Sequence, residues 1–299
     1  MTTLEAERRT GTDPRERLLA GMPVTERRLD LADISTAVLE GGAGRPLILL
    51  HEQGEFAARW MRVIPDLALT HRVIAPDLPG HGASEVTEGS LDAERVLRWL
   101  GELIDATCDE PPVLVGHMLG GAIAARFAAE HGDKLDRLVL VDSFGLRAFR
   151  PAPRFALALV RYIGRPGERS FAGLLRHCIA DPDALREEMG ERWEPYQSYV
   201  LEGARSPAGK AALPALMRAF AVRGIPAEEL DRISVPTALI WGREDPAARL
   251  RVAEQASEQY GWPLHVIEDA GDDPPMERPE AFVRALHQVL GTTSTGSPR

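Results

Sequence analysis

The stretch LVGHMLGG, residues 114–121, joins a short apolar run to a helix-like segment through a glycine-rich turn. Its spacing is that of G-x-S-x-G, a sharp strand-to-helix turn that presents a nucleophile above a sheet. Gly116 and Gly120 hold the glycine positions, and Met118 stands where the pattern has serine. A thioether has no proton to lose, so Met118 cannot carry out acyl transfer. The stretch therefore predicts the turn without its usual nucleophile.

Around this stretch, short apolar runs alternate with segments of helical spacing. Apolar runs bounded by turn residues predict buried strands, and apolar residues at three- and four-residue intervals predict helices. Strands that alternate with helices are typical of a mostly parallel sheet covered on both faces. The predicted strands are two within 24–40, with a turn near Ala32-Asp33, and 46–51, 72–77, 112–116, 137–142, 237–242 and 263–268. The predicted helices are 57–69, 91–107, 119–131, 247–260 and 280–290.

Residues 146–224 interrupt this alternation. They contain no convincing strand, and prolines divide them into helical segments. The segment holds 13 Lys+Arg and 8 Asp+Glu, an excess of positive charge in a chain whose net charge is −10. An insertion after the strand that ends at Asp142 would lie over the carboxyl ends of the strands, where ligands bind in such sheets. Its positive charge could attract an anionic substrate, or could belong to a solvated helix face.

Composition and the chain ends narrow the classes of function. The acidic net charge disfavours nucleic acid or an anionic membrane as the partner, and no apolar run reaches the roughly 18 residues of a membrane span. Residues 1–23 begin with a charged stretch without an apolar core, which predicts a flexible arm rather than a secretory signal. Residues 291–299 predict a disordered tail. Cys108 and Cys178 lack a metal-type spacing, so a reduced, cytoplasmic protein is expected.

Five motifs stand in a fixed order along the chain. They are a strand ending in His51, the loop DLPGHGAS (77–84), the turn at 116–120, Gly242-Arg243-Glu244-Asp245 after a strand, and Gly271-Asp272-Asp273-Pro274 followed by Glu277-Arg278-Pro279. Their order and spacing resemble the α/β-hydrolase superfamily, of the epoxide hydrolase and C–C hydrolase type, over about residues 24–290. The resemblance implies an α/β-hydrolase fold, with a core at 24–145 and 225–290 and a helical cap at 146–224.

Three positions depart from that family's pattern. Met118 replaces the nucleophile, Asp272 replaces the histidine base, and Glu52 replaces the glycine of a His-Gly pair at the oxyanion hole. A carboxylate there would repel an oxyanion, and losing one oxyanion-hole donor alone costs about 10²–10³ in rate. The position of the triad acid is retained as Asp245. Ordinary serine hydrolysis is therefore not expected.

The resemblance places Glu52 and Asp272 at the mouth of one pocket. Two carboxyls under an apolar cap raise each other's pKa, so one could act as a general acid or base near neutral pH. Alternatively, both point to solvent or pair with cap arginines such as Arg147 or Arg150. Asp245 could share a proton with Asp272, or could bond only to backbone N–H groups of its loop.

The predicted catalytic residues are therefore Glu52, Asp272 and Asp245. The residues expected to line the substrate pocket are His51, Gln53, His117, Met118 and Leu119. Met118 would be either a pocket wall or an apolar plug, and the two histidines either proton carriers or satisfied core residues. No H-x-x-x-H or C-x-x-C spacing indicates a metal, and no nucleotide or flavin motif is present, so chemistry without a cofactor is expected.

Three functions are compatible with this pattern. The first is an enzyme in which Glu52 and Asp272 carry out proton transfer on a small apolar substrate, as in a lyase, isomerase, cyclase or epoxide hydration. The second is a hydrolase that activates water directly with a carboxylate, which a Met118 filling the space at the site would oppose. The third is a non-catalytic protein that binds a ligand or partner, which ion-paired carboxyls would favour. The first is preferred, then the third, and the oligomeric state is not indicated.

Overall fold

The computed structural model describes residues 13–291 and contains a nine-stranded sheet. The strands follow the predicted apolar runs, with one short addition, β5. Their bounds are β1 Thr25–Leu31, β2 Ile34–Gly41, β3 Arg45–Leu50, β4 His71–Pro76, β5 Glu85–Val86, β6 Val113–His117, β7 Arg137–Val141, β8 Thr237–Gly242 and β9 Leu264–Ile267.

The sheet has the order β1-β2-β4-β3-β6-β7-β8-β9, with β5 paired to β2. From β4 to β9 every neighbouring pair is parallel, whereas β1 and β2 form an antiparallel hairpin. The hairpin turns through Ala32 (φ 48°) and Asp33 (φ 59°), the two positive φ values that a tight two-residue turn requires. The prediction of an α/β fold with a mostly parallel sheet is confirmed.

Helices lie on both faces of the sheet, because alternate strand residues are apolar on each side. Leu47 and Leu49 belong to one buried cluster, and Ile48 and Leu50 to the other. The helices are α1 Pro14–Leu19, α2 Ile64–Leu67, α3 Ala93–Thr107, α4 Leu119–His131, α5 Pro153–Gly164, α6 Glu168–Cys178, α7 Pro182–Met189, α8 Trp193–Arg205, α9 Pro207–Leu216, α10 Ala227–Leu230, α11 Leu250–Tyr260, α12 Pro274–Glu277 and α13 Pro279–Leu290.

The segment between β7 and α10 forms a layer of helices, α5 to α9, which end in a π-helical turn at Met217–Ala221. This layer packs over the carboxyl ends of the parallel strands through side chains such as Phe171, Tyr196 and Leu201, which belong to the same buried cluster as β3 and β6 residues. We refer to residues 146–224 as the cap.

Two segments differ from the sequence-based expectation. Residues 57–69 were expected to form one helix, but they form a 3-10 helix at Ala57–Arg62 and the short α2, because Pro65 has no N–H to continue the helical hydrogen bonds. Residues 1–23 were expected to be a flexible arm, which is wrong for the described part. Asp13 caps α1, whose Leu18 is fully buried, while residues 1–12 and 292–299 lie outside the described residues.

Candidate functional site

The turn after β6 has the geometry of a nucleophile elbow. Met118 has φ 49° and ψ −109°, and its N–H donates to the carbonyl of Val141 on the next strand at 3.0 Å. Its own carbonyl accepts from Ala122 and Phe144 at 3.1 and 3.0 Å. These bonds hold a non-glycine residue in a backbone conformation that costs about 1–3 kcal/mol.

The two glycines of the turn are required by packing. A Cβ added at Gly116 would lie 2.5 Å from the carbonyl oxygen of Gly120, and one at Gly120 would lie 2.4 Å from that of Leu50. Both separations are well inside van der Waals contact. Helix α4 can therefore lie against β3 and β6 only with glycine at both positions, whichever residue stands at 118.

The side chain at the elbow is part of the hydrophobic core. Met118 and Leu119 each have no exposed surface, and both belong to the cluster that includes Leu50, Leu78 and Phe144. Met118 thus fills the position above β6 with apolar volume. A buried thioether in such a cluster stabilises the fold through packing.

Both histidines beside the elbow are held by backbone groups. The Leu78 N–H donates to Nε2 of His51 at 2.8 Å, so Nδ1 carries the proton and donates to the carbonyl of Glu52 at 2.7 Å. Nε2 of His117 donates to the carbonyl of Asp272 at 2.6 Å. Burial lowers the pKa of His51 well below its usual value and that of His117 to about 3. Both are neutral groups that fasten loops.

Glu52 lies in a cluster of acidic side chains around one guanidinium, Arg59. The Arg59 Nη2 lies 2.5 Å from Oε1 of Glu52, and Nη1 lies 3.0 Å from Oε1 of Glu55. Arg59 also pairs with Asp273 and donates to the Tyr196 hydroxyl at 2.5 Å. We call Glu52, Glu55, Arg59 and Asp273 the Arg59 cluster.

The Arg59 cluster holds more carboxyls than positive charges. Its four members are each at most 8% exposed, so burial disfavours the ionised acids more than Arg59 can offset. Burial therefore raises the pKa of Glu52 well above its usual value, that of Glu55 to about 7, and that of Asp273. The carboxyls around Arg59 can hold protons at a pH where exposed carboxyls have lost theirs.

Asp272 lies directly under the end of cap helix α6. Its N–H donates to the carbonyl of Cys178 at 2.9 Å, and a Cβ added at the preceding Gly271 would lie 1.9 Å from that same oxygen. Burial raises the pKa of the Cys178 thiol, and the nearby Asp272 carboxyl adds to this effect. Burial, with nearby Asp245, raises the pKa of Asp272 well above its usual value. The cap thus covers Asp272, the residue that the family resemblance predicts at the position of the catalytic base.

Glu277 secures the same loop from below. Its Oε1 accepts from the N–H groups of Gly271 and Asp273 at 2.8 and 3.2 Å, and its Oε2 accepts from Ala180 of the cap at 2.6 Å. The glutamate of the GDDPPMERP stretch is therefore a structural residue that joins the loop to the cap.

Asp245 has a carboxyl partner, but it is Asp142 at the end of β7. Oδ1 of Asp245 accepts from Ala247 and Ala248 at 2.6 and 2.8 Å, and Oδ1 of Asp142 accepts from Gly242 at 2.9 Å. Oδ2 of each carboxyl is buried and has no hydrogen-bond partner among the described residues, and Asp245 is near enough to add to the raised pKa of Asp142. One proton shared between the two carboxyls would satisfy both oxygens. Burial raises the pKa of Asp142 well above its usual value and that of Asp245 to about 6.

A cavity of about 960 Å³ lies beside these groups, between the cap and the loops after β3 and β4. The Arg59 cluster reaches its wall through Glu55, next to Phe56. Neither Met118, Glu52 nor Asp272 is on that wall. The other wall residues come mainly from 80–91 and from cap helices α5, α8 and α9.

The predicted site residues thus lie close together, but the polar groups among them are hydrogen-bonded or ion-paired to other groups of the protein. Glu52 and Asp272 share one buried region, because the charge of Asp272 contributes to the raised pKa of Glu52. Their expected partners Arg147 and Arg150 are instead exposed, which corrects that alternative. Of the predicted pocket residues, His51, Gln53, His117, Met118 and Leu119, none is on the wall of the 960 Å³ cavity. Their roles in substrate binding stay predictions.

Sequence reasoning missed four members of this region: Arg59, Glu55, Asp273 and Asp142. Arg59 lies in a segment whose neighbours, Trp60 and Met61, are core residues, and it follows Glu55 by four positions. The two residues form an ion pair, so this four-residue spacing was the available signal. Asp142 was visible in the sequence as a charged residue at the end of the predicted apolar strand 137–142.

Within residues 13–291, no group of three or more His, Cys, Asp or Glu side chains has an arrangement that could hold a metal ion. In the same part of the chain, no helix has both the length and the apolar character needed to cross a membrane.

Known proteins share this architecture. The chain is 30% identical to 2-hydroxymuconate semialdehyde hydrolase of Pseudomonas sp. (strain CF600) over 277 residues, which cover 90% of this chain and 94% of the relative. It is 30% identical to 2-hydroxy-6-oxo-6-phenylhexa-2,4-dienoate hydrolase of Comamonas testosteroni over 228 residues, 72% of this chain and 77% of the relative. The solved structure of 2-hydroxy-6-oxo-6-phenylhexa-2,4-dienoate hydrolase from Rhodococcus sp. strain RHA1 superposes on this chain with a TM-score of 0.78 at 23% identity. The superposition covers 90% of this chain and 99% of that one.

The family model described as "Alpha/beta hydrolase family" matches residues 47–285, which include the strand before His51, the elbow, and the loop of Asp272. By this match and by the relatives, the chain belongs to the alpha/beta hydrolase family.

Proposed function

We propose that this chain is a member of the alpha/beta hydrolase family that lacks the catalytic triad and binds a small, largely apolar molecule without transforming it. One observation carries the proposal: the reactive positions are buried and bonded within the protein, whereas the cavity under the cap lies beside them. Met118 is fully buried, and Glu52 is paired with Arg59. A substrate in the 960 Å³ cavity would meet neither side chain on its wall.

The cavity suits an apolar ligand of modest size. Its volume lies within the range of small-molecule sites, which is about 300–1,000 Å³. Apolar side chains dominate its wall, among them Phe56, Val86, Leu91, Ile163 and Leu213. Two tyrosines, Tyr162 and Tyr199, add ring surface with a polar end.

A second candidate is acid–base catalysis by Glu52 and Asp272, with Asp245 in support. The observation in its favour is the raised pKa of both carboxyls, a common property of general acids. Relatives are named as hydrolases of 2-hydroxy-6-oxo dienoates and of 2-hydroxymuconate semialdehyde, so a small carbonyl-bearing substrate would be the first to examine. Direct hydrolysis by carboxylate-activated water is the weakest candidate, because Met118 fills the space at the elbow.

Binding and product formation should be measured on the same preparation. N-phenyl-1-naphthylamine, a neutral apolar dye, is expected to bind saturably with one site per chain. Ala211→Trp places a large side chain on the cavity wall and should weaken binding at least tenfold. Ala172→Trp, a half-buried cap alanine that is not on that wall, is the matched control and should bind as the parent does.

Turnover is then tested with a panel of activated esters, epoxides and 2-hydroxy-6-oxo dienoates. We expect saturable dye binding and no turnover. Turnover that disappears in Glu52→Gln, while the variant keeps its circular dichroism spectrum and dye affinity, would replace the binding proposal with the acid–base one. No saturable binding, or equal binding by both tryptophan variants, would refute a ligand site in this cavity.

A further inference from the structure

The positive charge of the cap is concentrated in the segment that contains α5 and α6. Residues 146–178 include seven arginines and one acid, Glu168, in a chain whose net charge is −10. No Lys or Arg lies on the wall of the 960 Å³ cavity. The charge of the cap is therefore not directed at a ligand in that cavity, and it faces the surroundings of the protein instead.

Four of these arginines line one groove between α5 and α6. The groove has a volume of about 500 Å³, and no acidic residue is on its wall. Its arginines are all exposed, and none of them forms an ion pair within the part of the chain that the structure describes. Like charges in one groove repel one another, so an anion that meets them lowers their electrostatic free energy. The four residues are Arg154, Arg161, Arg169 and Arg176.

The two helices hold these arginines in a fixed arrangement. The ring of Tyr162 on α5 packs against that of Phe171 on α6, with 5.8 Å between the centroids. Across the turn between the helices, the Ser170 hydroxyl donates to the carbonyl of Arg165 at 2.8 Å. A guanidinium group can donate two parallel N–H bonds to one phosphate group. The groove therefore suits a partner that carries several phosphate groups.

Helix α5 also exposes apolar side chains beside the arginines. Leu157, Val160 and Ile163 are 51%, 67% and 52% exposed, and they are three of the five large hydrophobic residues that are exposed among the described residues. Their three-residue spacing places each beside the next on the helix surface. Arg154 and Arg161 lie one helical turn before and after Leu157, and all three line the groove. An apolar row flanked by arginines is typical of a helix that lies in a membrane interface.

The combination of charge and apolar surface discriminates among anionic partners. A soluble phosphate compound or a nucleic acid would meet the arginines but would leave the aliphatic row in water. A phospholipid surface meets both, because its headgroups carry phosphate and its acyl chains receive apolar side chains. The acidic net charge of the whole chain opposes this contact only weakly, because electrostatic forces fall off over about 8 Å in physiological salt.

We infer that the outer face of α5 and α6 docks on an anionic phospholipid bilayer, with the groove arginines on the headgroups and with Leu157 and Val160 at the acyl boundary. The docking uses the outer surface of the cap and does not depend on the proposed function. Ile163 belongs both to the exposed row and to the wall of the 960 Å³ cavity. The docked chain would therefore hold that cavity beside the bilayer, where an apolar ligand can reach it from the lipid.

Flotation of the full chain with phospholipid vesicles at pH 7 tests this assignment. Vesicles of phosphatidylcholine mixed with phosphatidylglycerol should bind at least about tenfold more tightly than phosphatidylcholine alone, because each arginine near an anionic surface strengthens binding about fivefold. Raising the salt from about 0.05 to about 0.5 M NaCl should remove most of this preference. Equal binding to both vesicles, or binding to neither, would overturn the docking and leave the proposed function standing. Saturable binding of inorganic pyrophosphate or of a DNA duplex without vesicle binding would also overturn it.

A pair of charge variants locates the contact. Arg154→Gln combined with Arg161→Gln should weaken binding to the anionic vesicles at least about tenfold at low salt. Arg98→Gln combined with Arg284→Gln removes the same charge from exposed positions on α3 and α13, and this control should bind as the parent does. Equal weakening by the two double variants would overturn the role of the groove.

A pair of apolar variants tests the aliphatic row. Val160→Ser keeps the charge of the chain and should weaken binding at least about threefold at both salt concentrations, because the lost contact is apolar. Leu69→Ser is the matched control: Leu69 is 80% exposed and precedes β4, at the amino ends of the parallel strands and so away from the cap. It should bind as the parent does. Parent affinity in Val160→Ser, with an unchanged circular dichroism spectrum, would overturn the insertion of this row.

Discussion

The elbow makes two opposing contributions to stability at a single residue. Met118 has no solvent-exposed surface in the folded state, so Met118→Ala removes buried contacts and leaves a cavity. Core Met→Ala substitutions cost about 2–5 kcal/mol, and we expect a value in that range. The backbone at the same residue is strained, at φ 49°, by about 1–3 kcal/mol.

Met118→Gly separates these two contributions. Relative to alanine, glycine loses one methyl group, worth about 0.8 kcal/mol, and gains unfolded-state entropy that costs about 0.4–1 kcal/mol. It also removes the strain of the positive φ, about 1–3 kcal/mol. The glycine variant should therefore be within about 1 kcal/mol of the alanine variant, or more stable than it.

Leu119 supplies the matched control. It is equally buried, adjacent in sequence, and within helix α4, where no positive φ is required. Leu119→Gly should be less stable than Leu119→Ala by about 1 kcal/mol or more, as is usual for a helix. Free energies of unfolding are measured by guanidinium titration followed by circular dichroism. If the glycine variant is less stable than the alanine variant by as much at position 118 as at position 119, the backbone strain at Met118 is refuted. If Met118→Ala lowers the free energy of unfolding by less than about 1 kcal/mol, the role of Met118 in the core is refuted.

Three further predictions concern the buried acids. Burial raises the folded-state pKa of Glu55 to about 7 and of Asp245 to about 6, from 4.5 and 3.8, so the folded chain binds protons that the unfolded chain releases. The stability from these groups is complete below about pH 4 and is lost as the pH rises through 6 to 7, so Glu55→Gln should reduce the loss of stability between pH 5 and pH 8; a loss as large as in the parent would contradict the raised pKa of Glu55. Arg59→Gln should destabilise the fold by about 3–5 kcal/mol at pH 8 and by less at pH 5, where the carboxyls can protonate, which denaturant titration at both pH values will show. Asp245→Asn, whose amide can donate to Asp142, should change stability by under about 1 kcal/mol, whereas Asp245→Ala should cost about 1–3 kcal/mol; an Asn variant as unstable as the Ala variant would rule out the shared proton.

Local patterns were sufficient to predict the alternation of strands and helices, because each core strand is a short apolar run bounded by turn residues, whereas the family resemblance implied the α/β-hydrolase fold. Helix α4 was predicted at its observed bounds, 119–131, and strand β8 at 237–242. The exception at 57–69 came from Pro65, whose effect on hydrogen bonding outweighed the apolar spacing around it. Helix α1 was missed because its anchor is a tertiary contact: the Arg15 Nη2 lies 2.8 Å from Oδ2 of Asp77.

The site was predicted less completely, because its partners are distant in sequence. Glu52 was singled out as a site residue, but its ion-pair partner Arg59 and the third acid Asp273 join it only in the folded chain. Likewise, Asp142 meets Asp245 across adjacent strands, a pairing that depends on strand order. The sequence contains the residue types of the site, whereas the protonation of each carboxyl depends on which charges the fold brings near it.

The contact between α6 and the loop of Asp272 has a consequence for how the chain moves. The Asp272 N–H is bonded to the Cys178 carbonyl, Gly271 lies against the same oxygen, and Glu277 holds both the loop and Ala180. The cap cannot lift at this edge without breaking these bonds, so loop and cap should fluctuate as one unit. Amide hydrogen exchange at Asp272 would then report the opening of the cap itself, and protons and water would reach the buried acids at the rate of that opening.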